Sequence, residues 1–444
     1  MTADLERLFE LLRFPSVSTA REHAGDVREC AEFLHRQFLE MGLMSRIHET
    51  PGHPVVVARN EPDPDKKTVL IYGHYDVQPV DPLHLWDSAP FEPEIREGKI
   101  WARGATDNKG QHFAHVLGVE KTLEEEGDLP VNVIFLIEGE EEIGSPNLVP
   151  FLEEHREELA CDVIAVSDTG MVAPGVPTLG YGLRGIACLE VKVKGPKSDL
   201  HSGVYGGAVA NPATAAARLV ASLHDEAGKI AVAGFYDGVV PLEDWEREMW
   251  SRVPGATDAD FLAVTGSPEV FGEPGYSSAE RLWARPTIEV NGIGGGYQGE
   301  GSKTVLPAEA MFKLSCRLVP GQDPQAVLEA VERHLQERCP AGVRVEIERG
   351  HTGKAYASDP HSPFGKAAQR ALEASFGREP VLIREGGSIP IIQDMKEILG
   401  VDTLMLGLAL PDCRIHAPNE NFPVANFEAG IEMSRHLLRE IAKS

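Results

Sequence analysis

Short apolar runs alternate with stretches of helical periodicity between Asp4 and about Tyr181. The apolar runs are continuous, as in the buried strands of parallel sheets, and the helical stretches place their apolar residues on one face. This alternation is typical of a sheet covered by helices. We therefore predict an α/β fold whose sheet is mostly parallel and helix-covered.

The pattern changes after Gly185. Residues 186–195 alternate apolar and polar side chains, as in a strand with one buried face. Pro212, preceded by an asparagine cap, predicts the start of a helix that runs to about Glu226. A second helix follows Asp323 and is flanked by further strands. This part of the chain is therefore predicted to form a compact α+β module.

The α/β pattern returns at about Thr352, so the α+β module is predicted to be inserted into the α/β domain. A length of 444 residues agrees with more than one domain. We expect a catalytic domain formed by residues 1–183 and 353–444, with residues 184–352 as the inserted domain.

Composition narrows the classes of function. A formal net charge of -27 opposes nucleic-acid binding, which needs lysine and arginine to replace counterions. The chain has no apolar stretch of about 18 residues, which argues against a transmembrane helix. Its amino terminus has apolar residues at helical spacing and carries acids, unlike a secretory signal, so a cytoplasmic location is expected. The six cysteines form no CxxC pair, which favours reduced thiols over disulfides or zinc ligands.

Candidate metal ligands follow the predicted strands. The carboxyl ends of parallel strands meet at one edge of a sheet, so side chains placed there can converge. The candidates are His74 and Asp76, Glu141 and Glu142, Asp168, His416 and, in a glycine-flanked loop, Asp107. The two histidines with three of these carboxylates suit a pair of zinc, manganese or cobalt ions, with one carboxylate bridging the two ions.

Each candidate has an ordinary explanation when it is taken alone. His74 fits a hydrogen-bonded loop histidine, residues 138–142 fit a solvated acidic face, and Asp107 fits an Asx turn. The surrounding sequence favours a metal site instead. His74 and Asp76 share one face of an extended strand, so one side chain can bind metal while the other orients that ligand. In the acidic run, one carboxylate can bind metal while its neighbour accepts a proton as general base.

Eight motifs extend the pattern along the chain: GHYDVQP, WARGATDNKG, EGEEEIGS, SDLHSGVYGG, GSKTVLP, CRLVP, REGGSIP and IHAPNE. In this order the chain resembles the co-catalytic metallopeptidase family of cytosolic non-specific dipeptidase, carnosine dipeptidase, aminoacylase and succinyl-diaminopimelate desuccinylase. The resemblance covers nearly the whole chain. YGLRG, DLHSGVYGG and REGGSIP are most similar to the dipeptidase branch.

The resemblance implies two divalent metal ions per chain, either zinc or manganese, with cobalt also accepted by such ligands. It assigns one ion to His74 and Asp168, the other to Glu142 and His416, and makes Asp107 the bridge.

The resemblance also implies how the site works. A hydroxide lying between the two ions attacks the amide carbonyl, and Glu141 is the general base that later returns a proton to the leaving amine. Asp76 holds His74 in place. The peptide bond from Asp107 to Asn108 is expected to be cis.

The inserted domain is implied to be a ferredoxin-like lid and dimerisation domain. His201 would reach the active site of the partner subunit in a homodimer and stabilise the oxyanion. Arg317 would grip the substrate carboxylate with its guanidinium. Thr304, His351 and Ser388 are implied as further substrate contacts. From the residues alone, His201 fits a local hydrogen-bonding role and Arg317 fits an edge salt bridge.

The expected function is that of a metal-dependent dipeptidase that hydrolyses dipeptides with a free carboxyl-terminal residue. The alternatives are an N-acyl-amino-acid amidohydrolase of the aminoacylase or desuccinylase type, a small carboxypeptidase acting on tripeptides, and a non-catalytic binding relative. Retention of all five ligands and Glu141 argues against the last. The expected partners are a small peptide substrate and a second copy of the chain, without nucleic acid or membrane. The pattern assigns no role to Glu140.

Overall fold

The computed structural model describes residues 2–387 and 389–444. Ser388, one of the predicted substrate contacts, lies outside the described residues. The strands are β1 (Met44–His48), β2 (Val55–Arg59), β3 (Thr68–His74), β4 (Glu94–Arg96), β5 (Lys99–Trp101), β6 (Asn132–Glu138), β7 (Val163–Val166), β8 (Thr178–Leu183), β9 (Gly185–Lys194), β10 (Leu200–His201), β11 (Thr287–Gly295), β12 (Val305–Leu306), β13 (Glu309–Leu318), β14 (Arg344–Gly353), β15 (Tyr356–Ala357), β16 (Val381–Glu385), β17 (Thr403–Gly407) and β18 (Asn421–Pro423).

The helices are α1 (Ala3–Leu12), α2 (Ala24–Glu40), α3 (Lys109–Glu126), α4 (Leu148–Glu154), α5 (Ser202–Tyr205), α6 (Pro212–Ala221), α7 (Asp244–Trp250), α8 (Asp258–Thr265), α9 (Ser278–Ala284), α10 (Pro324–Glu337), α11 (Pro363–Phe376), α12 (Pro390–Leu399) and α13 (Val424–Ile441).

A nine-stranded sheet forms the larger layer, in the order β1-β2-β6-β3-β7-β17-β8-β15, with β16 also paired to β8. Its centre, β6-β3-β7-β17, is parallel, and antiparallel strands flank it. Along β3, Val69 and Ile71 pack into one hydrophobic cluster, whereas Leu70 and Tyr72 pack into another. Both faces are therefore buried, by α1, α2, α3, α11 and α13 on one side and by α4 and α12 on the other. This arrangement confirms the predicted α/β class with a helix-covered sheet.

A second, four-stranded sheet has the order β11-β13-β9-β14 and is antiparallel throughout. Its elements follow the chain as β9, α6, β11, β13, α10 and β14, which is the ferredoxin-like order. Helices α6 and α10 pack against one face of this sheet around a hydrophobic cluster of its own. The predicted α+β module has this ferredoxin-like form.

Helix α10 begins where its sequence predicts, because the Asp323 side chain accepts a hydrogen bond from the N–H of Ala326 and Pro324 occupies the first turn. Helix α6 ends earlier than the predicted Glu226, at Ala221. There the Ser222 hydroxyl donates a hydrogen bond to the Leu219 carbonyl at 2.7 Å, and the chain turns away.

All six cysteines are free thiols, and Cys30, Cys316 and Cys413 are buried. Among residues 2–387 and 389–444, no helix combines the length and the hydropathy needed to cross a lipid bilayer.

Candidate metal centre

Four neighbouring strands bring the candidate ligands to one edge of the large sheet. Strand β3 ends at His74, and a short 3-10 turn carrying Glu141 and Glu142 follows β6. Asp168 comes two residues after β7, and the segment after β17 leads to His416. Because these strands are adjacent and parallel, their carboxyl ends meet, as the sequence predicts.

The five predicted ligands form two groups that share Asp107: His74, Asp107 and Asp168 in one, and Asp107, Glu142 and His416 in the other. In each group the possible ligand atoms lie within 4.8 Å of one another. Asp107 Oδ1 lies 3.1 Å from His74 Nε2, while its Oδ2 lies 2.8 Å from His416 Nε2. One carboxylate therefore faces both histidines, which is the position that a bridging ligand requires.

The donor set fits a pair of divalent metal ions. The cluster offers imidazole nitrogen and carboxylate oxygen, the ligand types that zinc and manganese accept. Glu142 Oε2 lies 3.2 Å from His416 Nε2. Its other oxygen, Oε1, is buried and lacks a hydrogen-bond partner among the described residues. A buried carboxylate oxygen without a donor is costly, and a cation would satisfy it. The role of the five clustered residues as metal ligands stays a prediction.

The electrostatic potential in the cluster is strongly negative. Burial raises the pKa of Asp168 to about 6 against the opposing effect of His74. Burial also holds the pKa of Glu141 well above its usual range, and the neighbouring Asp168 and Asp107 charges add to this. The Asp107 and Glu142 carboxylates raise the pKa of His416 to about 10. The crowded carboxylates therefore favour positive charge at this point.

Asp76 connects the two halves of the cluster. Its Oδ1 lies 3.3 Å from His74 Nδ1, so the imidazole presents Nε2 to Asp107. The same carboxylate accepts hydrogen bonds from the backbone N–H of Glu141 at 3.2 Å and of Glu142 at 3.1 Å. The spacing of His74 and Asp76 predicts the first contact, whereas the second contact is visible only in the structure.

Glu141 and Glu142 point in different directions. The Glu142 side chain is 2% exposed, whereas that of Glu141 is 20% exposed. Glu141 Oε2 lies 4.0 Å from His74 Nε2, at the edge of the cluster. The two neighbours are therefore placed for the different roles that the acidic run predicts.

Two polar residues to which the sequence assigns no supporting contact hold the candidate ligands in place. Asn108 donates hydrogen bonds through Nδ2 to Asp168 Oδ1 at 2.8 Å and to the Ser167 carbonyl at 2.6 Å. The bond joining it to Asp107 is cis, as the resemblance implies. Gln78 donates through Nε2 to Glu142 Oε2 at 2.7 Å. Both residues lie inside motifs that carry the ligands, which is the signal that could have identified them.

Glu420 holds the loop that carries Asp107. Its carboxylate is fully buried and accepts four hydrogen bonds. Oε2 accepts from Arg103 Nη1 at 2.8 Å and from the Gly104 N–H at 2.9 Å. Oε1 accepts from the backbone N–H of Thr106 at 2.8 Å and of Asp107 at 2.9 Å. This carboxylate therefore fixes the backbone from Gly104 to the bridging position itself.

Glu140, to which the sequence assigned no role, points away from the cluster. Its Oε1 accepts a hydrogen bond from the His53 N–H at 3.0 Å, and its Oε2 accepts one from Asn147 Nδ2 at 2.8 Å. The side chain is buried. Glu140 thus ties the turn before β2 to the segment that follows the acidic run.

The predicted substrate contacts lie outside the cluster. His201 and Thr304 are exposed and sit beside each other, where β10 pairs with β12. Arg317 lies on β13 and His351 on β14, both in the four-stranded sheet. His351 Nε2 is 3.7 Å from Cys188 Sγ. The described part of one chain therefore places these four residues with the α+β module rather than among the ligands.

Two cavities lie near residues that the sequence predicts to have a function. One, of about 520 Å³, adjoins the cluster, because its lining includes Gly170, two residues after Asp168, and Ile415, one residue before His416. Glu385 also lines it, and burial raises the pKa of this carboxyl group to about 7.

The other cavity, of about 390 Å³, is lined by Arg317 and by three more arginines, Arg184, Arg281 and Arg285, and by the acids Glu273 and Glu289. Burial, followed by the nearby charge of Arg317, lowers the pKa of Arg184 to about 10. Two close guanidinium groups of this kind favour an anionic occupant.

The chain is similar to a known peptidase family and to characterised dipeptidases over most of its length. The model of Peptidase family M20/M25/M40 matches residues 70–440. The Cys-Gly metallodipeptidase DUG1 of Saccharomyces cerevisiae is 31% identical, and the match covers 99% of this chain and 95% of the yeast protein. The Beta-Ala-His dipeptidase of Homo sapiens is 34% identical, with 88% of this chain and 78% of the human protein covered.

A solved structure gives the same result. The M20 family metallo-carboxypeptidase Sso-CP2 from Sulfolobus solfataricus superposes with a TM-score of 0.87 at 33% sequence identity. The superposition covers 100% of both chains.

Proposed function

Because this chain belongs to peptidase family M20/M25/M40, we propose that it is a metal-dependent dipeptidase that hydrolyses dipeptides with a free carboxyl-terminal residue. The observation that carries the proposal is Asp107 facing His74 and His416 with opposite oxygens of one carboxylate. The relatives named Cys-Gly metallodipeptidase and Beta-Ala-His dipeptidase, each matched over most of this chain, support the dipeptide as substrate.

Two divalent metal ions per chain, zinc or manganese and alternatively cobalt, are part of the proposal. His74 and Asp168 would hold one ion, Glu142 and His416 the other, and Asp107 both. When bound, such ions lower the pKa of a water molecule and polarise a carbonyl group.

Glu141 is proposed as the general base. Its carboxylate lies at the edge of the cluster and is more exposed than that of Glu142, so it can reach both water and substrate. It accepts the proton of the attacking water and then donates that proton to the leaving amine. Asp76 contacts both His74 and the turn that carries Glu141, and so fixes their positions relative to each other.

The two cavities suggest how a dipeptide is oriented. A dipeptide at neutral pH carries an ammonium group at one end and a carboxylate at the other. Arg317 and Arg184 line one cavity and attract the carboxylate, whereas Glu385 lines the other together with the exposed Arg414 and, when ionised, attracts the ammonium group. Opposite charges at the two ends of the site favour a short zwitterion over a protein chain, whose ends are far apart.

The proposal includes a homodimer formed through the inserted domain, residues 184–352, with His201 acting in the active site of the partner subunit. The exposure of His201 and its place on the α+β module, outside the cluster of its own chain, support this assignment. Its Nδ1 accepts a hydrogen bond from the Gly203 N–H at 3.0 Å, which orients the ring. Thr304 and His351, also exposed on this module, are proposed as substrate contacts.

A cytoplasmic location completes the proposal. The six free cysteines support it, because oxidising compartments favour disulfides.

A small carboxypeptidase is the second candidate, and the likeness to the metallo-carboxypeptidase Sso-CP2 at 33% identity favours it over an N-acyl-amino-acid amidohydrolase. The two candidates differ in the length of peptide accepted on the amino-terminal side. The Glu385 carboxylate favours a free ammonium group one residue from the scissile bond, and thus a dipeptide.

A substrate panel tests the proposal. Metal-stripped protein is refilled with manganese or zinc and given dipeptides, tripeptides and N-acetyl amino acids, with Glu141→Gln protein as the control. We expect metal-dependent release of free amino acids from dipeptides, lost in the control. Faster cleavage of tripeptides would establish the carboxypeptidase, and cleavage of N-acetyl amino acids alone would establish the amidohydrolase.

A further inference from the structure

The cavity beside the metal centre has walls that are mainly apolar. Met171, Ile383 and Leu410 are buried side chains that line it, and the half-buried Trp283 and Val172 complete the wall. Its volume of about 520 Å³ falls within the range of small-molecule sites. A site of this size with apolar walls gains most from an apolar occupant that displaces water from it.

The segments that build this cavity are the same ones that carry two of the candidate ligands. Gly170 forms an isolated parallel bridge with Ala409, and the Met171 N–H donates a hydrogen bond to the Ala409 carbonyl at 2.7 Å. Gly170 and Met171 follow Asp168 closely, and Ile415 directly precedes His416. A group held in this cavity is therefore next to the bond that the metal centre would cleave.

Trp283, another part of the cavity wall, comes from outside both ligand-bearing segments. Trp283 lies on α9, which packs against β16, and its ring meets the buried Trp250 edge-on with 5.2 Å between centroids. This contact holds the indole at the cavity without burying it fully. An aromatic ring in such a position can contact a large apolar side chain of a ligand.

The charges that line the two cavities decide which residue of a dipeptide enters the apolar cavity. Glu385 and the exposed Arg414 line this cavity, whereas the other is lined by four arginines, Arg184 and Arg317 among them, and only two glutamates. The excess of arginines attracts the carboxylate end of a dipeptide to the other cavity, which leaves its amino-terminal residue at the apolar one.

From these observations we infer that the enzyme selects dipeptides whose amino-terminal residue has a bulky apolar side chain, and that Trp283 is a residue that sets this selectivity. The inference rests on the proposed dipeptidase function, which it makes more specific. Glycine at the amino-terminal position would leave the walls facing water, and a phenylalanine or leucine side chain would cover them.

The experiment compares Phe-Gly, Gly-Phe and Gly-Gly as substrates of manganese-loaded protein. We expect kcat/KM for Phe-Gly to exceed that for Gly-Gly by at least about tenfold, as apolar pockets discriminate by this much for small differences in side-chain size. Phe-Gly should also exceed Gly-Phe. In Trp283→Ala protein the ratio of Phe-Gly to Gly-Gly should fall by about tenfold. The matched control is Trp245→Ala, since Trp245 is a half-buried tryptophan that lines a different cavity.

Equal cleavage of Phe-Gly and Gly-Gly, a preference for Gly-Phe, or an unchanged ratio in Trp283→Ala would overturn the inference while leaving a dipeptidase. Calorimetric binding of the same dipeptides to manganese-loaded Glu141→Gln protein separates the two proposals. Suppose that the wild-type protein cleaves none of the three dipeptides. Tighter binding of Phe-Gly that depends on Trp283 would then support the selectivity and refute the dipeptidase function. Equal binding of the three dipeptides, or no binding, would refute both proposals.

Discussion

The buried carboxylate of Glu420 accepts a hydrogen bond from the backbone N–H of Asp107 at 2.9 Å. The two residues are 313 positions apart in the chain, yet one oxygen of Glu420 fixes the backbone at the point where the two ligand groups meet. The position of the shared carboxylate therefore depends on a residue that is distant in the chain and is not one of the predicted ligands.

Replacing Glu420 by glutamine is expected to weaken metal binding by about 10- to 100-fold, the usual cost of losing a group that supports a ligand. The amide has one acceptor oxygen, so one pair of donors, either Thr106 and Asp107 or Arg103 and Gly104, loses its acceptor. Competition with a chromophoric chelator measures the affinity of metal-stripped protein. The exposed Glu61, changed to glutamine, is the control, and equal affinities of the two variants would contradict the role.

Glu141→Gln should lower kcat by about 10²- to 10⁴-fold, the range for loss of a general base. Metal content should stay near two ions per chain, because the predicted ligands are other residues. Steady-state kinetics with elemental analysis of the same sample tests both statements. A parallel loss of metal and turnover would instead make Glu141 a ligand.

The Glu385 carboxyl group predicts a pH dependence of folding. Burial raises its pKa from near 4.5 to about 7. The folded state therefore binds this proton more tightly than the unfolded state, so stability is lost as pH rises from about 4.5 to about 7. Glu385→Gln removes the loss, and its advantage over wild type should grow by at most about 3 kcal/mol between pH 5 and pH 8.

Denaturant unfolding of metal-free wild-type and Glu385→Gln proteins at the two pH values measures this difference. A gap between the two proteins that does not change with pH would show that ionisation of Glu385 does not cost folding energy. The surface variant Glu379→Gln controls for the loss of one negative charge, because Glu379 is exposed.

The partner-subunit role of His201 predicts complementation between two inactive proteins. His201→Ala and Glu141→Ala chains, mixed in equal amounts and allowed to exchange subunits, should recover about a quarter of wild-type activity, because half of the dimers are mixed and each has one complete site. Hydrolysis before and after exchange provides the measurement. Mixed dimers that stay inactive would place His201 in the site of its own chain.

The convergence of the candidate ligands could be predicted because it depends on a simple geometric rule. His74, Glu142 and Asp168 follow adjacent buried strands, and the ends of parallel strands converge whatever the details of packing. The strands themselves are visible in the sequence because burial on both faces leaves continuous apolar runs.

The supporting contacts could not be predicted in the same way. Asn108, Gln78 and Glu420 act through side-chain directions in loops, and no periodicity encodes those directions. The early end of α6 has a related cause, since the helical pattern continues past Ala221, but Ser222 instead contacts His334 Nε2 at 3.0 Å on the neighbouring helix α10. Tertiary contact overrides local propensity there.

The place of β17 in the large sheet has a consequence for synthesis of the protein. This strand lies between β7 and β8, although more than 200 residues separate it from them in the chain, and the segment after it supplies His416. A nascent chain that has emerged from the ribosome only as far as β14 holds His74, Asp107 and Asp168 but neither β17 nor His416. Its sheet is split at the centre and its second ligand group is incomplete, so hydrolysis at the proposed metal centre is expected only after β17 and His416 have been synthesised.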